Sequence, residues 1–279
     1  MITQNKSIKQ SYLEYLNTIT GIRNYTNFKT TLYSPNDTLV QEIIQKLPHD
    51  FSAVTFEASK RLKICDIGGG DGNRMFKIIQ YLSKQFDINC QLDFIEQSLP
   101  FCQKFENLCK SNKELAETRI HNDLFEKIII PNYCYDLVFL IHSIFAFNDN
   151  FALKKILALP NHSGTIIIVS NSPDSFLAGL KKIIDEYYID FRYEIDDLIK
   201  DLNKQNINYH SYFFETKWSV NMDEEQLYLS TIKNWLSLGR YTSLSNEKQQ
   251  EIDEYIQQNT KYLDGQRHFV ENEIALFIP

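Results

Sequence analysis

Asp66-Ile67-Gly68-Gly69-Gly70-Asp71-Gly72 closes an apolar run, Leu62–Ile67, and opens an amphipathic stretch that continues to about Gln85. Glycines at this density let a chain turn sharply with positive φ and bring its backbone against a ligand with no Cβ in the way. A helix that begins at such a turn offers N–H groups to an anionic group. Strand, glycine turn and helix in that order predict a ligand site at the C-terminal end of the strand.

Working outward, the same alternation repeats. Gln91–Ile95 reads as a strand, Leu99–Cys109 as a helix, Thr118–His121 as a third strand and Tyr135–Ile141 as a fourth. The fourth is apolar after Asp136, which predicts a central place in a sheet. Phe151–Leu159 reads as a helix and Thr165–Ser170 as a fifth strand. Strands alternating with helices imply right-handed crossovers and a mostly parallel sheet with helices on both faces. Before this region, Ser34-Pro35 starts a helix that carries Leu39, Val40, Ile43, Ile44 and Leu47 on one stripe and stops at Pro48. After it come helices at Asp174–Tyr187, Glu194–Asn203, Met222–Leu238 and Asn246–Gln258, a strand at Asn208–Glu215 and a closing strand at His268–Ile278. With no repeat or low-complexity linker, the expectation is a single domain over 1–279. It comprises a helical N-terminal cover (1–60), a ligand-binding core (61–171), substrate-side insertions (172–262) and a final strand (263–279).

Composition narrows the function. The net charge of −7 and pI near 5.4 disfavour a phosphate backbone as partner. The opening Met1-Ile-Thr-Gln-Asn-Lys6 is polar, and no apolar run reaches the roughly 18 residues of a membrane helix. Five scattered cysteines form no C-x-x-C pair and read as reduced thiols. The expectation is a cytoplasmic monomer acting on a small molecule, without metal, nucleic acid or membrane.

The glycine stretch has the D-x-G-x-G-x-G form of class I S-adenosylmethionine-dependent methyltransferases. A nicotinamide-type G-x-G-x-x-G fits poorly, since counting from Gly68 or Gly70 puts Asn73 or Met75 where the third glycine belongs. The resemblance implies a class I methyltransferase (Rossmann-like) α/β fold with helical insertions covering the substrate site, and S-adenosyl-L-methionine as cofactor, released as S-adenosyl-L-homocysteine. It implies that Asp66, Gly68, Gly69, Gly70 and Gly72 hold the amino-acid part of the donor. Glu96, 24 residues past Gly72, would accept hydrogen bonds from the ribose hydroxyls, with Gln97 beside it. Asp123 and Phe125, in His121-Asn-Asp-Leu-Phe125, would meet the adenine, and Ile141 completes the set.

Beyond the class, the chain resembles histamine N-methyltransferase and its relatives. The marks are Gln41-Glu42 to Leu47-Pro48, Ile67–Gly70, Asp136–Phe147, Ser170-Asn171-Ser172 before Lys181-Lys182, and Asn272. Carried over residue by residue, the acceptor pocket is altered. His142 stands where the family has a Gln, and the aromatic pair after it becomes Phe145 and Ala146. Two Trp positions become Phe176 and Leu180, and the acid that holds the amine aligns with Asn36, beside Asp37. Asn272 is retained. Phe214, Trp218, Trp235 and Tyr241 are further aromatic candidates for the cover, Tyr241 among the substrate contacts. A cationic amine needs a carboxylate or a π face, so these changes argue against histamine itself.

The resemblance implies methyl transfer by in-line displacement, most simply to an amine or imidazole nitrogen, with the protein supplying alignment. His142 is the candidate catalytic base, because imidazole takes up a proton near neutral pH. An O- or carboxyl-methyltransferase acting on a natural product, and a non-catalytic donor-binding protein, stay open. A nucleic-acid amino-methyltransferase is disfavoured: Leu140–Phe145 lacks the proline-containing motif that holds a flipped base.

Overall fold

The computed structural model describes residues 14, 15, 18, 38–50, 61–147, 150–185 and 193–279. Among the described residues eight strands form one sheet: β1 (Arg61–Ile67), β2 (Asn89–Ile95), β3 (Thr118–His121), β4 (Tyr135–Ile141), β5 (Pro160–Asn171), β6 (His210–Asn221), β7 (Lys261–Leu263) and β8 (Gln266–Ile278). The described helices are α1 (Thr38–Asp50), α2 (Asn73–Phe86), α3 (Leu99–Ser111), α4 (Asn150–Leu157), α5 (Phe176–Asp185), α6 (Ile195–Lys204), α7 (Met222–Leu236) and α8 (Asn246–Gln258). The strand order is β3-β2-β1-β4-β5-β8-β6, with β7 pairing β8 off that path. β1 runs parallel to β2 and β4, β3 parallel to β2, and β5 parallel to β4. The β7–β8 ladder is antiparallel, so the sheet is mixed. The order reverses between β1 and β4, and in open α/β sheets that crevice, beyond the strands' carboxyl ends, is where ligands bind.

The chain divides into two compact units. Of the described residues, the larger comprises 39–50, 61–147, 150–170, 193–213 and 274–279; the smaller comprises 14, 15, 18, 38, 171–185 and 214–273. In the larger unit, strand alternation sorts side chains onto two faces. Cys65, Ile67, Ile95, Val138, Leu140, Ile166 and Ile168 pack with Ala152, Leu153 and Ile156 of α4 and Leu198 and Leu202 of α6. On the opposite face Phe94 meets Phe105 of α3, ring centroids 3.9 Å apart. α2 buries Met75, Ile78, Ile79 and Leu82, one helical stripe.

One charge lies within the first of these faces. Asp93 is paired in register with Cys65. Its carboxylate accepts the Tyr135 hydroxyl at 3.0 Å and meets His121 Nε2 at 2.7 Å. These partners offset the cost of burying a carboxylate. Burial, with the neighbouring Cys65 and Asp93, pushes the Tyr135 phenol well above its ordinary range.

Several elements depart from the sequence expectation. α1 continues through Pro48 to Asp50, because a proline near a helix end forgoes one amide hydrogen bond without barring a final turn. The expected helix start at Ser34-Pro35 lies outside the described residues. β6 continues to Asn221, with Trp218 and Val220 buried and Lys217, Ser219 and Asn221 exposed in alternation with them, so the two-residue period outlasts Glu215. β5 begins at Pro160, five residues before the expected start, and its ladder with β4 shifts register between Tyr135 and Leu137. β7 was not expected at all. Three exposed residues carry no periodic signal, and the strand exists through its pairing with β8.

Candidate functional site

The predicted donor residues lie in the larger unit beyond the carboxyl ends of β1, β2, β3 and β4. Gly68, Gly70 and Gly72 have φ of +73°, +61° and +74°. The Gly68 and Gly69 amides both bond Ile95 O, at 2.8 and 3.3 Å, which ties the loop to the end of β2. A Cβ on Gly69 would collide with the edge of the Phe94 ring and lie 2.5 Å from Asp66 Oδ2. On Gly72 it would enter the Phe105 ring. At these two positions the protein's own packing demands glycine, a reason additional to ligand approach.

Glu96 is the centre of the arrangement. It is 6% exposed. Its Oε2 accepts the Gly70 amide at 2.9 Å and its Oε1 the Ser98 amide at 2.8 Å. One carboxylate thereby joins the loop after β1 to the loop after β2. Asp66 is also buried, near the end of β1. Asp71 accepts the Asn73 amide at 3.3 Å, so part of the α2 N-terminus is satisfied from within the loop.

Asn122, which sequence reasoning passed over, donates its side-chain amide to Glu96 O at 3.0 Å and Gln97 O at 3.1 Å. It brings the turn after β3 beside Gln97. In that turn Asp123 accepts the Leu124 amide at 2.7 Å and is largely exposed. Phe125 is buried, its ring edge-on to Phe147 with centroids 5.7 Å apart. It supports the turn from the core side.

At the end of β4, Ile141 and His142 are half-buried. The His142 amide donates to Val169 O at 2.8 Å, and its φ is +54°. Non-glycine residues in this region are uncommon and cluster where a site holds the backbone. Ser143, also missed, donates its hydroxyl to Ile67 O at 2.7 Å and packs against Gly68, whose added Cβ would lie 2.5 Å from Ser143 Cβ. A bulkier residue at 68 or 143 would therefore pry β1 from β4. Phe145, half-buried, lies in the short 3₁₀ turn that follows.

Other substrate candidates belong to the smaller unit. Phe176 is buried among aromatic rings, stacked on Tyr255 (5.9 Å) and edge-on to Phe269 (5.5 Å). Phe269 in turn stacks on Trp218 at 5.2 Å. Asn272, half-buried, accepts the Ser172 amide on its backbone oxygen at 2.8 Å. Tyr241 lies in a 3₁₀ turn beneath the Lys233 ammonium, 5.1 Å from the ring centroid, and burial raises its phenol. Trp235 is buried beside Tyr15 and Phe214 is half-buried. Asn36 and Asp37 lie outside the described residues.

The same unit holds a buried acid not foreseen. The Glu271 carboxylate accepts the Leu177 amide at 2.9 Å and the Asn171 side-chain amide. Burial and the neighbouring Glu273 push it up to about 8, against the hydrogen bonds from Leu177 and Ser175 and the charge of Lys181.

The thiols give no sign of reactivity. Burial raises all five, Cys90 to about 11 and Cys102 to about 12. Thiols so raised stay protonated and are poor nucleophiles. Among the described residues, no group of three or more His, Cys, Asp or Glu could hold a metal, and no helix is long and apolar enough to cross a membrane.

No protein-family profile and no curated protein matches the chain. Solved structures do. The plantazolicin methyltransferase BpumL, in complex with a triazolic desmethylPZN analog and S-adenosylhomocysteine, is 16% identical, with a TM-score of 0.52 over 97% of this chain and 96% of that one. Geranyl diphosphate C-methyltransferase of Streptomyces coelicolor A3(2), in complex with Mg2+, geranyl diphosphate and S-adenosyl-L-homocysteine, is 9% identical, with a TM-score of 0.51 over 99% and 98%. The YcgJ protein of Bacillus subtilis is 14% identical, with a TM-score of 0.52 over 82% and 97%. The chain has the Rossmann-like fold of class I methyltransferases.

Proposed function

We propose that the chain binds S-adenosylmethionine at the Gly68–Gly72 loop and catalyses transfer of its methyl group to a small molecule. The observation that carries this reading is the Glu96 carboxylate, buried at the end of β2 and bonded to the Gly70 amide at the strand-order reversal. The solved neighbours that hold S-adenosylhomocysteine in the same fold support it.

In this reading Glu96 holds the ribose hydroxyls beside Gln97, and Asp66 with the loop amides holds the amino-acid portion. Asp123 and the Phe125-backed turn face the adenine, and Ile141 lines the site. The donor, when bound, supplies an activated methyl on a sulfonium. The residues around it align the acceptor and exclude water. His142, held at the end of β4 in a left-handed conformation, takes the acceptor's proton.

The preferred acceptor is an amine or imidazole nitrogen, supported by the resemblance to histamine N-methyltransferase relatives and the retained Asn272. The replaced Trp positions at Phe176 and Leu180 favour an acceptor other than histamine. The net charge of −7 supports a small molecule over nucleic acid.

The test is to incubate purified protein with methyl-labelled S-adenosylmethionine and a metabolite extract that includes imidazoles and other amines. Label in a low-mass product establishes the reaction, and the product's mass identifies the acceptor and whether nitrogen or oxygen is methylated. Donor binding without transfer favours a non-catalytic binding protein. No donor binding refutes the proposal.

A further inference from the structure

Lys155, on α4, lies about 30 residues along the chain from the turn it holds. Its ammonium meets three backbone oxygens of the turn after β3: Phe125 O at 2.5 Å, Ile128 O at 2.6 Å and Glu126 O at 3.3 Å. An ammonium has three N–H donors, so this turn takes up its full donor capacity. The same group lies over the Phe125 ring, 4.5 Å from its centroid, adding a cation–π contact that strengthens away from water.

The turn is also braced internally, by Lys127 N to Leu124 O at 2.9 Å and Ile128 N to Phe125 O at 3.3 Å. Its other end is fixed by Asn122, through Glu96 O and Gln97 O. Asp123 thus projects from a segment clamped at one end to the β2 loop and at the other to α4. The groups that act on the ammonium are the Glu126 carboxylate and Cys65. Burial lowers its protonation tendency and these two oppose that.

Taking the donor reading above as given, we propose that Lys155 is a positioning residue: it sets the place of the Asp123–Ile128 turn and thereby the selectivity of the site for adenine. A side chain without the charge takes the ammonium from three carbonyls, of which Phe125 O keeps the Ile128 amide, and the turn relaxes while the sheet and the Glu96 anchor stay in place. Arginine keeps the charge, but its planar fork cannot converge on three oxygens around one nitrogen.

The experiment measures binding of S-adenosylhomocysteine and S-inosylhomocysteine, which differ at the purine 6-position, to wild type, K155M and K155R, alongside thermal unfolding. The expected result is that wild type prefers the adenine form. K155M should then lose about tenfold in affinity for it with little change for the inosine form, so that the preference collapses, while K155R falls between. A preference retained in K155M, or both affinities falling in parallel, overturns the inference and leaves the donor reading standing. Wild type that binds both forms equally overturns it too. Wild type that binds neither overturns the donor reading itself. If K155M does not fold, the preference in K155R decides: an undiminished one overturns the inference.

Discussion

Replacing Glu96 with Gln keeps the shape of the side chain and removes one of its two acceptors. In the native protein both oxygens are used, for the amides of Gly70 and Ser98 at 2.9 and 2.8 Å. A glutamine satisfies one of these and turns an NH2 toward the other, placing donor against donor. Hydrogen bonds to a charged group contribute about 1.5–3 kcal/mol each, and a buried donor left unsatisfied costs about 1–3 kcal/mol. Since the two figures partly overlap, the expected loss of stability is about 2–4 kcal/mol, against the roughly 5–15 kcal/mol typical of a domain. A fall in the urea midpoint at unchanged slope would register it. In the donor reading the variant also loses a charge-assisted bond to ribose and the loop's tether. That is about 3 kcal/mol, or two decades in affinity for S-adenosylhomocysteine by calorimetry. An unchanged midpoint would refute the claim that the carboxylate ties the two loops together. Affinity within threefold of wild type would refute its role as a donor ligand.

Gly72→Ala must adopt φ +74° and push its methyl into the Phe105 ring, so we expect about 2–5 kcal/mol of destabilisation by urea unfolding. Adding Phe105→Leu should return part of it, and strict additivity of the two changes would disprove the clash. Asp93→Ala strands the Tyr135 hydroxyl and His121 on a buried sheet face, and chemical denaturation should register about 2–4 kcal/mol. His142→Gln should cut methyl transfer at least tenfold with donor affinity nearly unchanged, and intact turnover would remove His142 from catalysis. Glu271 is raised from the ordinary carboxylate range to about 8 by burial and Glu273. The folded state therefore keeps its proton where the unfolded chain has lost it. Its contribution is fully present below about pH 4.5 and is lost as pH rises to about 8, a change on the order of a few kcal/mol. Glu271→Gln should flatten that slope in urea midpoints taken from pH 5 to 9, and parallel slopes in the two proteins would contradict the assignment.

The elements expected at Thr118–His121, Tyr135–Ile141 and Asn246–Gln258 match the structure residue for residue, and the glycine turn stands between β1 and α2 as read. Apolar period and turn chemistry act over a few residues, so the order of residues alone carries them. So does the pairing of the glycine loop with an acid at the end of the next strand, because that relation belongs to the βαβ unit. Tertiary structure decided the rest. That Gly69 and Gly72 must stay small for Phe94 and Phe105, that Asn122 bridges Glu96 and Gln97, and that Ser143 binds Ile67 are contacts between residues made neighbours by strand order. The three-residue β7 exists because β8 offers it hydrogen bonds. Lys155 stands next to Lys154 on a short helix, and nothing in the local sequence marks it out. Only the packing of α4 beside the turn after β3 gives its ammonium three carbonyls to hold. Local sequence sets what each segment can become, whereas a buried charge finds its partners across distances in the chain that no local pattern encodes.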